Sequence, residues 1–164
     1  MFDPRQFRNA LGHFATGVAI VTTRDIHGGA IGITINSFAS VSLEPPLVLW
    51  SLAKNAWSVA AFETADFFAI HVLAEDQQDL SNRFARASED KFAGVKTSAG
   101  LGGAPLLPGC PAVFQCSTEH HYDGGDHIII VGRVQHFHTE ERPPLLFHRG
   151  RYLAAPIDPE VCAA

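Results

Sequence analysis

Cysteine is scarce in this chain: Cys110, Cys116 and Cys162 are all there are, an odd number with no Cys-x-x-Cys spacing. That excludes a disulfide scaffold and fits a reducing compartment, so a cytoplasmic location is expected. No apolar run reaches the roughly 18 residues that a membrane helix requires, and the opening MFDPRQFRN lacks a basic lead into an apolar stretch. A soluble, unexported protein is expected. Charge is also sparse. Charged residues make up 18%, and 12 Lys and Arg against 17 Asp and Glu give a net charge of −5 with the basic residues scattered, which argues against a nucleic-acid partner. Common catalytic signatures are missing as well. Gly12 and Gly17 stand in G-x-x-x-x-G order, but Val18 follows where a P-loop needs lysine; there is no G-x-G-x-x-G and no G-x-S-x-G. Neither the P-loop, nor the dinucleotide fold, nor a serine-nucleophile elbow is available.

What the chain does hold is apolar residues, 46% of 164, enough for a packed core and too many for disorder. At roughly 150 residues per domain, a single domain spanning 1–164 is expected, with no internal repeat.

Asp3 followed by Pro4 predicts a helix start, and Phe7, Ala10, Leu11 and Phe14 then share one face. GVAIVTT and AIGITIN, around Gly28–Gly29, predict a β-hairpin. In Ile33-Thr34-Ile35-Asn36 the polar residues alternate, so Thr34 and Asn36 point together away from the core. After Pro45-Pro46, LVLWSL predicts a strand buried on both faces. Asn55 is expected to cap a helix through Trp57, Ala60, Ala61 and Phe62. Phe67 to Leu73 predicts a strand, and Asp76 to about Ala87 an amphipathic helix with Leu80 and Phe84 four apart. Gly94 to Pro111 predicts a long loop. PAVFQCSTEHHY and HIIIVGRVQHFH predict a second hairpin about Asp123-Gly124-Gly125-Asp126. Six or more strands with two or three peripheral helices point to a closed or half-closed antiparallel barrel. The tail carrying Pro156 and Pro159 is expected to be loose or to lie on a partner subunit.

His120, His121, His127, His136 and His138 fall on the second hairpin. His136 and His138 share a strand face, but no Glu or Cys completes a familiar ligand spacing, so no metal site is expected. Thr34, Asn36, Ser37, Ser40 and Ser42 surround a strand end, with Ser51, Lys54, Asn55 and Ser58 at a helix start. Free N–H groups, a hydroxyl and a lysine together suit a phosphate, and the polar strand end suits a heteroaromatic ring; from composition alone the same residues read first as caps and turn formers.

FRNALGHFATGVAIVTT, GITINSFASVSLEPPLVLWSLAKNAWS, FAIHVL, RFA, DKFAGV, GGDHIIIVGRV and HRGRYL, in this order from about Phe7 to Leu153, resemble the flavin-reductase-like family. These are the small reductase components of two-component flavin-dependent monooxygenases. The resemblance implies a mainly β fold, an antiparallel FMN-binding split β-barrel of Greek-key type with a few peripheral helices. It implies that Thr34, Asn36 and Ser37 line the isoalloxazine ring and that Ser40, Val41 and Ser42 continue along the ring and ribityl chain. Ser51, Ala53, Lys54 and Ser58 would hold the phosphate. Arg83 and Phe84 would lie near the flavin, His127 would meet the nicotinamide nucleotide as the best catalytic candidate, and Tyr152 would close over the site.

The implied activity is an NAD(P)H:flavin oxidoreductase of the EC 1.5.1 type. A hydride passes from nicotinamide C4 to flavin N5, and reduced flavin goes to a separate oxygenase. The cofactor carries the chemistry and the chain supplies ring stacking, so no acid–base pair is needed. FMN or FAD would bind, with NADH or NADPH as co-substrate; NADH is slightly favoured because no arginine pair flanks His127. A homodimer with flavin sites near the interface is implied. Two other readings stand beside this one: a flavin-binding module without nicotinamide turnover, and an oxidase that keeps its flavin.

Overall fold

Asp3 and Pro4 begin the first helix as their chemistry requires. In the computed structural model, which describes residues 2–88 and 90–155, the Asp3 carboxylate accepts the Arg5 N–H at 2.8 Å and α1 runs Pro4–Leu11. Cys162 and the expected tail, 156–164, lie outside the described residues. The apolar face of α1 does not enter the core: no α1 residue is buried, and Phe7, Leu11 and Phe14 are exposed.

β1 (Thr16–Gly17) leads into the first hairpin, β2 (Ala19–Arg24) and β3 (Ala30–Ile35). Its turn is held by Asp25, whose carboxylate accepts the N–H groups of His27 and Gly29. β4 (Ala39–Leu43) and β5 (Pro46–Ala53) form a second antiparallel pair. Here one expectation needs correction. Val48, Trp50 and Leu52 are buried, but Leu47, Leu49 and Ser51 are only half-buried, so β5 has one core face rather than two. The face carrying Leu47, Leu49 and Ser51 is only partly covered, whereas β2 and β6 of the same antiparallel sheet are buried on both faces.

A second correction concerns Asn55. The chain makes successive turns through 53–59, with Ala56 N–H on Ala53 O and Val59 N–H on Ala56 O. α2 therefore starts late, at Val59–Thr64, and Ser58 rather than Asn55 takes the cap position.

β6 (Phe67–Val72) follows, then a 3-10 turn, and α3 occupies Gln78–Ala85. The expected loop 94–111 contains a small hairpin, β7 (Ser98–Ala99) with β8 (Pro105–Leu106). The long hairpin β9 (Ala112–Gly124) and β10 (His127–Thr139) turns through Gly125-Asp126, with Gly125 at φ 81°. β11 (Leu145–His148) and β12 (Arg151–Ala154) join β1 in a three-stranded sheet.

The main sheet has seven strands in the order β3-β2-β6-β9-β10-β5-β4. Its two edges, β3 and β4, are consecutive in sequence. A flat seven-stranded sheet would hold its edges roughly 29 Å apart at the usual strand spacing, whereas the link 36–38 spans at most roughly 14 Å. The sheet must therefore curl on itself. No ladder joins β3 to β4, so the result is a mainly β, antiparallel split barrel with peripheral helices. Inside it, Trp50 meets Phe62 and Phe68 edge-on at 4.9 and 5.9 Å. A second core of Val18, Ile20, Leu73, Phe84 and Leu145 lies toward the small sheet. Among the described residues no helix is long and apolar enough to cross a membrane.

Candidate functional site

The alternation in β3 sends Ile35 into the core and leaves Thr34 and Asn36 on the other side. There Val18, Thr34, Ile35, Asn36, Ala85, Phe147 and Tyr152 line a cleft of about 460 Å³, the open space at its mouth included. The β11–β12 hairpin supplies the aromatic wall. Arg149 and Gly150 both adopt positive φ, 50° and 79°, giving the tight turn that sets Phe147 across from Tyr152 with the rings 5.5 Å apart. The Tyr152 hydroxyl is fixed by Ser81 Oγ at 2.8 Å and Asn82 Oδ1 at 3.2 Å. Thr34 donates to Ser81 O at 2.7 Å, tying β3 to α3. Apolar walls with a few fixed polar groups suit a flat heteroaromatic ligand.

From this cleft the polar residues continue onto β5. The Ser51 N–H donates to Ser37 Oγ at 2.9 Å, and the Ser37 hydroxyl lies 3.2 Å from Ser51 O. The β3–β4 link is thereby pinned to the sheet across the split. Ser37→Ala should leave the Ser51 N–H without its acceptor and cost about 1–2 kcal/mol of stability. A urea midpoint unchanged from wild type would contradict this. Ser40, Val41 and Ser42 lie on edge strand β4 beside a register shift, with Ser40 and Val41 exposed.

Two residues beyond Ser51, Ala53 faces His127 across the β5–β10 pair. The long hairpin is latched here: Lys54 N–H donates to Asp126 O at 2.9 Å, and the Lys54 ammonium pairs with the Asp123 carboxylate. His127 Nδ1 lies 2.7 Å from Asp126 Oδ1. These bonds hold both carboxyls below their usual range, Lys54 acting on Asp123 and His127 on Asp126. An ionised carboxylate only accepts, so Nδ1 of His127 is the donor in this bond. The Ser58 hydroxyl is buried at the start of α2 without a hydrogen-bond partner.

Thr34, Asn36 and Tyr152 thus share one cleft, Ser37 and Ser51 are bonded to each other, and Ala53, Lys54 and His127 meet at the hairpin end. Two residues lie apart. Phe84 is fully buried, edge-on to Phe92 at 4.9 Å and directly under Gly32, so it presents no surface to a ligand. Arg83 is exposed and donates to Ala93 O at 2.8 Å. Among the described residues no three His, Cys, Asp or Glu groups are placed to hold a metal ion.

Sequence reasoning missed Phe147, Ser81, Asp123 and Asp126. The two aspartates were visible only as turn formers. Phe147 had a signal, since it stands as far before the Arg149-Gly150 turn as Tyr152 stands after it.

The chain is similar to known proteins over nearly its whole length. Residues 11–156 match the family described as "Flavin reductase like domain". The chain is 46% identical over 162 residues to the reductase subunit HsaB of a flavin-dependent monooxygenase from Rhodococcus jostii, covering 98% of this chain and 83% of that protein. It is 48% identical to FMN reductase (NADH) SmoA of Agrobacterium fabrum, covering 92% and 85%. Among solved structures, Streptomyces globisporus NADH:FAD oxidoreductase SgcE6, in complex with NAD and FAD fragments, superposes with a TM-score of 0.89 at 37% identity, covering 96% and 98%. The chain spans about half the length of some other curated relatives, 49% of one and 48% of another.

Proposed function

Because this chain belongs to the flavin reductase like domain family, we propose that it is an NAD(P)H:flavin oxidoreductase, of the EC 1.5.1 type, that supplies reduced flavin to a separate monooxygenase. The observation that carries the reading is the continuity of polar groups from the cleft of Thr34, Asn36 and Tyr152, through the Ser37–Ser51 pair, to His127 and Lys54. The residues fit a flavin in kind. The cleft offers an aromatic wall with hydroxyl and amide groups, and the buried Ser58 hydroxyl lacks a hydrogen-bond partner. Thr34, Asn36 and Ser37 would hold the ring, Ser40, Val41 and Ser42 its continuation, and Ser51, Ala53, Lys54 and Ser58 the phosphate.

A flavin held by these residues would supply the hydride acceptor, at N5, for C4 of a reduced nicotinamide ring. The chain's part is to orient the two rings and exclude water. With its Nδ1 held by Asp126, His127 would meet the nicotinamide nucleotide through Nε2, and Tyr152 would close the cleft. NADH is the preferred donor, with FMN or FAD as acceptor.

The proposed assembly is a homodimer. Its support is exposed apolar area on the sheet, where Val41, Tyr122 and Phe137 are 48, 52 and 70% exposed. Light scattering at micromolar concentration checks it, and a monomer would contradict it. Buried free thiols at Cys110 and Cys116 support a cytoplasmic setting.

The deciding experiment is anaerobic absorbance with catalytic protein and excess FMN or FAD, following bleaching after NADH or NADPH is added. Multiple turnovers far above the protein-free rate are expected. Flavin binding without any acceleration would instead favour a flavin-binding module or an oxidase with another reductant.

A further inference from the structure

Among the described residues Lys91 is the one lysine, arginine, aspartate or glutamate that is buried, with 4% of its surface exposed. A buried ammonium persists only where the surroundings replace the water it has lost. Here its Nζ donates to Gly32 O at 3.1 Å and to Phe84 O at 2.9 Å, and it lies 5.1 Å from the centre of the Trp57 ring. Burial pushes its pKa below the ordinary lysine value.

The three groups it touches come from three separate pieces of the proposed flavin site. Gly32 is on β3, two residues before Thr34, and β3 is an open edge of the split barrel. Phe84 belongs to the last turn of α3, the helix whose Ser81 and Asn82 hold Tyr152. Trp57 sits between Lys54 and the buried Ser58 in the turns that precede α2. The ammonium also serves as a C-terminal cap for α3, where cations are favoured.

We infer that Lys91 is a positioning residue for flavin: by bonding β3 and α3 and seating Trp57, it fixes the ring-holding strand, the Tyr152 anchor and the phosphate-holding turn relative to one another. Lys91 touches no flavin atom in this reading. The inference rests on the proposed flavin site, and its own content is that one side chain outside the cleft sets flavin grip without setting nicotinamide use.

The test is Lys91→Met, which keeps the length and apolar stem but cannot donate or attract the indole ring. FMN and FAD dissociation constants are measured by fluorescence quenching, and the NADH KM by anaerobic bleaching at saturating flavin. The flavin constant should rise about tenfold, as expected for losing charge-assisted bonds, while the NADH KM stays within about twofold. An unchanged flavin constant would overturn the inference, as would proportional loss of flavin and NADH use. Should Lys91→Met fail to fold, Trp57→Leu decides, because it removes the ring and leaves both carbonyl bonds: weaker flavin binding supports the role and unchanged binding overturns it. Wild-type protein that neither binds nor bleaches flavin would overturn the flavin reading itself, and this inference with it. A competent wild type beside an unaffected Lys91→Met would remove only the role of Lys91.

Discussion

His127→Ala is expected to raise the KM for NADH roughly 10- to 100-fold while leaving the flavin dissociation constant within about twofold, the range for losing one well-oriented hydrogen bond and its packing. The separation follows from position. His127 stands at the hairpin end of β10, opposite Ala53, whereas the cleft proposed to hold the flavin ring is built from β3, α3 and the β11–β12 hairpin. Its Nδ1 donates to Asp126 Oδ1 at 2.7 Å, which leaves Nε2 for the nicotinamide nucleotide. Asp126→Ala should therefore produce a smaller change of the same kind, since the imidazole remains but loses its fixed tautomer and orientation. Stopped-flow bleaching at saturating flavin separates the constants. Equal loss of flavin and NADH binding in His127→Ala would remove this residue from nicotinamide recognition and make it part of the Lys54–Asp123–Asp126 latch.

Local chemistry made much of this fold legible. Asp123-Gly124-Gly125-Asp126 between two alternating runs identified the β9–β10 hairpin, and Gly125 takes the positive φ that the turn demands. Alternation in Ile33-Thr34-Ile35-Asn36 was enough to turn Thr34 and Asn36 to the same side, and both line the cleft. Less legible was anything decided by distant neighbours. LVLWSL reads the same whether one face or two is covered, and only the packing of the folded chain leaves Leu47 and Leu49 half-buried while β2, also next to an edge strand, is buried on both faces. The apolar stripe of α1 is real, yet nothing in the stripe says that Phe7 and Leu11 stay exposed. Phe84 lies under Gly32 because the glycine leaves no Cβ there; an added Cβ would lie 2.5 Å from its ring. That is a contact between segments fifty residues apart, invisible to periodicity. Lys91 was legible only as one letter of the DKFAGV block, since its partners lie on β3, α3 and the turn before α2.

Acidification from neutral pH should destabilise the protein before its carboxylates titrate, through His71. This side chain is fully buried on β6, and Ile20 O lies 3.0 Å from its Nδ1. A carbonyl only accepts, so Nδ1 carries the proton; Nε2 is buried without a partner. Protonating it would place a charge and an unmatched donor in the core, and burial pushes its pKa down to about 4, against which the bond to Ile20 O works only weakly. The unfolded chain takes the proton near the ordinary value of about 6.5. Between those values the unfolded state binds a proton that the folded state refuses, so stability falls as pH falls through that window and is intact above it. The loss attributable to His71 should reach about 2 kcal/mol by pH 5 and on the order of 3 kcal/mol below pH 4. Asp25 and Glu119, half-buried, and Asp123 and Asp126, exposed, have carboxyls held low by their hydrogen-bond partners and act only at still lower pH. Urea unfolding at pH 7 and pH 5 should therefore show a drop that is largely absent in His71→Leu. An equal drop in both proteins would mean that His71 contributes nothing to it, its proton affinity being the same in the folded and the unfolded chain.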